Sequence, residues 1–131
     1  MPTKLKRFKL KRLLISVLAI VLFSGCVKQI AREETRQPNP REKASLQLTE
    51  EGRQLLEEDK PDHAIRSLEQ AISLNPDNGR CYYYLAEAWL QKGNFSEAKQ
   101  FNNLAKNYLK KDKSWKTLVA KQARRIASLE K

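Results

Sequence analysis

One histidine, two cysteines and four glycines are all that 131 residues contain of three residue types on which much protein chemistry depends. The lone His63 excludes a metal site built on paired histidines, and its place beside Asp62 at a predicted helix start reads as surface. Four scattered glycines supply no glycine-rich phosphate loop, and neither cysteine has a base next to it in a nucleophile signature. Glu57, Glu58 and Glu69 read as solvated helix faces, not as a catalytic carboxylate pair. The chain is therefore expected to be no enzyme, with no cofactor and no metal. Few glycines and only five prolines also favour helix over sheet, so the fold class is expected to be all-α.

No apolar run reaches the roughly 20 residues that a membrane-spanning helix needs. The longest, Leu13 to Phe23, is eleven residues interrupted only by Ser16, and extending it to Val27 gives 15. Six cations between Lys4 and Arg12 precede it, and small Ser24 and Gly25 follow. That order of charge, apolar stretch and small residues is the pattern of a secretory signal peptide, expected over 1–25, with a short uncleaved anchor as the alternative.

"LFSGC", residues 22–26, resembles the lipobox of bacterial lipoproteins, with Phe23 where the family prefers leucine. The resemblance implies that Cys26 is the lipidated amino terminus of the mature protein and holds it to a membrane on the extracytoplasmic side. Val27 and Lys28 follow in place of the aspartate that retains such proteins at an inner membrane. In a two-membrane cell the implied address is the outer membrane, facing the periplasm. Cys81 is then the remaining thiol, no intramolecular disulfide can form, and Cys81 reads as buried structural filler.

The formal charge of +11 divides unevenly. Residues 27–105 carry 11 basic and 13 acidic side chains, whereas residues 106–131 carry nine against two. Between lipid and fold, residues 26–43 have mixed charge, few apolar side chains and the Pro38-Asn39-Pro40 break, and are read as a tether.

From residue 44 onward the chain repeats. At an offset of 34, Leu48 falls on Tyr82, Gly52 on Ala86, Leu55 on Trp89, Ala64 on Ala98 and Ala71 on Ala105. Small Gly52 and Ala86 allow a close second helix, Asp62 is expected to cap the first return helix, and Asn94 or Ser96 the second. Period and residue types resemble the tetratricopeptide repeat, a helix-turn-helix unit. The second unit departs from the pattern at Asn102, and Phe101 and Leu104 are expected to take over its packing. "DKSWKTLVAKQARRIASLEK" reads as a capping helix, with Trp115, Leu118 and Ile126 covering the second unit.

The resemblance implies a protein–protein interaction adaptor, with partner-facing positions on the first helix of each unit. These are Thr49, Arg53 and Leu56, then Arg80, Tyr83, Glu87 and Leu90. The expected partner is an envelope protein or a peptide segment of one, and accessory factors of secretion, pilus or outer-membrane assembly machines have this form. The alternative is a basic membrane-surface or anionic-polymer binder acting through Lys121, Arg124 and Arg125, with nucleic acid the least favoured target. Oligomeric state is left open.

Overall fold

A computed structural model describes residues 37–131; the expected signal peptide, Cys26 and the tether up to residue 36 lie outside the described residues. Five helices follow in order, α1 Pro40–Glu57, α2 Pro61–Leu74, α3 Gly79–Gln91, α4 Phe95–Leu109 and α5 Lys113–Leu129, with no strand among the described residues. α1 packs on α2 and α3 on α4 as two helical hairpins, α2 and α1 lean on α3, and α5 packs on α4. The fold is the all-α helical-repeat architecture that the 34-residue period predicts.

The helix starts explain themselves locally. Asn39 accepts from the Glu42 amide at 2.9 Å, and the Glu42 carboxylate accepts from the Asn39 amide at 3.0 Å, a reciprocal capping box. Pro40 takes the first helical position, where its missing N–H costs nothing. The expected tether thus gives way to helix at Pro40, inside the 26–43 boundary, because the proline that breaks a helix interior also begins one well. Asp62 does not cap α2: the N-cap is Lys60, whose side chain makes no capping bond, and Asp62 sits in the first turn, ion-paired with Lys92 beyond the end of α3. The pair ties the two hairpin ends together and lowers the Asp62 pKa, chiefly through the hydrogen bond from Lys92. Asn94 caps α4 through the Glu97 amide, and Asp112 caps α5 through the Ser114 and Trp115 amides.

The core runs along the seam between hairpins, with Leu68, Leu85, Ala64 and Ala71 wholly buried. At Gly52 of α1 the neighbouring helix comes close: a Cβ there would lie 2.6 Å from Leu68 Cγ. Cys81 is fully buried beside them, its Sγ donating to the Leu68 carbonyl at 3.0 Å, and burial pushes the thiol up to about 12. It is a packing residue, as the sequence suggests.

Two buried polar knots join the helices. Asn78 Nδ2 donates to Ser45 Oγ at 3.0 Å and to Thr49 Oγ1 at 2.9 Å, while Ser45 Oγ donates to the Ala71 carbonyl at 2.9 Å. Three segments far apart in sequence are thereby fixed by satisfied bonds. The second knot contains Asn102, which donates to the Val119 carbonyl at 3.0 Å and to Gln122 Oε1 at 2.8 Å. Asn102 is therefore the polar seat of α5, and the expectation that Leu104 substitutes for it is corrected: Leu104 lies exposed.

Candidate interaction groove

α1, α3 and α5 each contribute one wall to an open groove of about 370 Å³. Of the residues expected from the sequence, Arg53, Leu56, Tyr83 and Glu87 line it, and Arg125, expected as part of a separate basic surface, joins them. The remaining lining includes Tyr84, Trp115 and Leu118, which the sequence reading did not place there.

The floor is aromatic. Tyr83 and Tyr84 meet edge to face at 5.3 Å between ring centroids, and Trp115 stands edge-on to Tyr83 at 5.4 Å and to Tyr84 at 6.1 Å. Such crossed rings hold each other in place while leaving part of each face open. Consecutive residues on a helix point about 100° apart, and Trp115 of another helix packs against both Tyr83 and Tyr84. Burial raises the pKa of both tyrosines, with Glu87 adding to it at Tyr83, so their hydroxyls stay protonated at neutral pH.

The rim is charged and balanced. Arg53 donates from Nε to Glu50 at 3.0 Å and from Nη2 at 2.7 Å, and pairs with Glu57 one turn on. The arginine in turn holds the Glu50 carboxyl below its usual range. Across the groove, Gln122 Nε2 donates to the Tyr83 carbonyl at 3.0 Å and to Glu87 Oε1 at 2.7 Å, while Arg125 pairs with Glu87. These contacts join the wall from α3 to the wall from α5.

Three expected groove residues stand elsewhere. Thr49 is buried, its hydroxyl donating to the Ser45 carbonyl at 2.8 Å and accepting from Asn78, so it belongs to the inner polar knot. Arg80 is exposed at the margin, its guanidinium 5.2 Å from the Trp115 ring centroid. Leu90 is half-buried and outside the groove lining. Lys121 and Arg124 are exposed on α5 and do not line it either. Leu118, expected to cover the second unit, is 41% exposed and faces the groove instead.

Two stacked helical hairpins with a further helix across the last, and a groove along their first helices, define a helical-repeat interaction domain. The family model for the tetratricopeptide repeat matches residues 55–121, and the chain belongs to that family. Tetratricopeptide repeats mediate protein–protein interaction, and this fold serves binding. No curated protein and no solved structure matches the chain.

Proposed function

We propose that the protein is a lipid-anchored adaptor of the cell envelope, whose groove receives a peptide segment of another envelope protein. The observation that carries the reading is the composition of the groove: three crossed aromatic rings between two arginines, each ion-paired with glutamate. Aromatic rings with polar edges, together with arginine, are the side chains on which binding energy concentrates at interfaces. The anchor rests on residues 4–26, where cations, an apolar stretch and Ser24-Gly25-Cys26 follow one another. Attachment through Cys26 puts the domain on the extracytoplasmic side, at the outer membrane in a two-membrane cell. An accessory role in a secretion, pilus or outer-membrane assembly machine suits such an adaptor.

Intact mass measurement of the protein extracted from membranes is expected to show Cys26 as an acylated amino terminus. Two or three chains, each contributing about 0.8 kcal/mol per buried methylene, hold a protein where one chain would not. Unmodified Cys26 within an intact N-terminus refutes the anchor.

For the groove, Arg53→Ala combined with Tyr83→Ala is expected to weaken partner recovery at least about tenfold, or 1.4 kcal/mol. The comparison is made with protein whose folding has been checked by circular dichroism. Loss of recovery on Lys121→Ala with Arg124→Ala instead, together with steep salt dependence, would move binding to the basic face of α5.

A further inference from the structure

In the first hairpin the small residue of the first helix meets a large side chain of the return helix. Gly52 of α1 is filled by Leu68 of α2. One period on, Ala86 of α3 is wholly buried under the hairpin that α3 forms with α4. A second period leads to Ala120 of α5, preceded by Val119 where α3 has Leu85; Val119 is buried, as Leu85 is. α5 thus has the pattern of the first helix of a third unit. Yet Ala120 and Ala123 are exposed, because among the described residues no return helix lies over them.

In that place lies a cleft of about 310 Å³ between α4 and α5, walled by Leu109, Val119, Ala120 and Ala123. Lys106, Lys110 and Lys116 stand around it, and none of the three makes an ion pair among the described residues. The cleft shares no lining residue with the aromatic groove.

We propose that this cleft is a second docking site, which takes an amphipathic helix from another protein in the position of a return helix, with carboxylates opposite Lys106, Lys110 and Lys116. Shape selects the helix: small side chains at Ala120 and Ala123 leave room for a leucine-sized side chain, as Gly52 does for Leu68. Charge selects the acidic flank, since three unpaired ammonium groups around an apolar slot attract carboxylates and repel cations. A second copy of this chain offering its own α5 would set cations against cations, for residues 106–131 carry nine basic and two acidic side chains.

The test uses the full chain purified in detergent and a fluorescent synthetic helix of about 15 residues, with leucine and alanine on one face and glutamate on both flanks. A matched peptide carries lysine in place of glutamate. At about 150 mM salt, where exposed charges are screened beyond roughly 8 Å, the glutamate peptide is expected to bind at least about tenfold more tightly by fluorescence anisotropy. Ala120→Trp, which fills the slot from an exposed position, is expected to abolish that advantage, and Ala123→Trp provides an independent variant should the first melt early. Reversing Lys106, Lys110 and Lys116 to glutamate is expected to turn the preference toward the lysine peptide. Equal binding of both peptides, no binding of either, or binding lost only with Arg53→Ala and Tyr83→Ala overturns the proposal. Self-association of the chain that Ala120→Trp abolishes overturns it as well, by making the occupant a second copy.

Discussion

A chain lacking residues 113–131 is expected to melt at least about 10 °C below the intact protein. Val119 and Ile126 are each 2% exposed, and burying a large aliphatic side chain contributes about 1.5–3 kcal/mol. Their loss alone comes to about 3–6 kcal/mol, a large part of the roughly 5–15 kcal/mol by which small domains are stable. The deletion also removes Trp115 from Tyr83 and Tyr84, and takes from Asn102 both of its acceptors. The damage therefore reaches the second hairpin and is not a mere shortening. Circular dichroism melting of the two proteins decides: coincident transitions would show that α5 contributes nothing to the fold.

Gly52→Leu is expected to cost at least about 3 kcal/mol, although leucine forms helix far better than glycine. Even a bare Cβ would meet three Leu68 carbons between 2.6 and 3.2 Å, and Leu68 is fully buried with no solvent to retreat into. Gly52→Ala sets a propensity gain of about 1 kcal/mol against overpacking of about 1–3 kcal/mol, so it too should destabilise, but less. Leu68→Ala, which alone should cost about 2–5 kcal/mol by opening a cavity, is expected to rescue Gly52→Leu in part. A double-mutant cycle in denaturant measures this coupling, expected at about 1–3 kcal/mol and favourable. Additive effects would mean that the two helices do not meet at Gly52.

The seam at Gly52 was legible in the sequence because it is written in residue size, and size repeats with the period. Hydrogen-bond partners are not so written. Thr49 shares a helical face with Arg53 and Leu56, and by spacing alone it belongs in the groove; Asn78, 29 residues away, turns it inward. Asn102 departs from an apolar pattern, yet its acceptors lie on a helix that spacing arguments treat separately. Pro40 reads as a break until Asn39 and Glu42 are seen to close a capping box around it. In α5, periodicity identified a buried stripe but not its centre. The stripe runs through Val119, Gln122 and Ile126, which rotates Leu118 out to the groove and brings Trp115 against the tyrosines. The aromatic floor was missed for that reason, since two of its three rings come from α3 and the third from α5. The basic surface was divided for the same reason, Arg125 facing Glu87 while Lys121 and Arg124 face away.

The bridge from Gln122 and Arg125 to Tyr83 and Glu87 makes occupancy of the groove and order of the last helix a single linked equilibrium. Trp115 enters the binding wall only when α5 is docked, so a ligand that needs Trp115 binds the docked state alone. At a concentration of 100 times its dissociation constant, such a ligand would hold α5 down by a further 2.7 kcal/mol or so. Reciprocity then requires that anything fastening α5 from its other side, including a helix in the lysine-rimmed cleft, raises affinity in the aromatic groove. With α5 held by about 3–6 kcal/mol the docked state already dominates, so this coupling shows chiefly in variants that loosen α5, where affinity in the groove falls with the docked fraction.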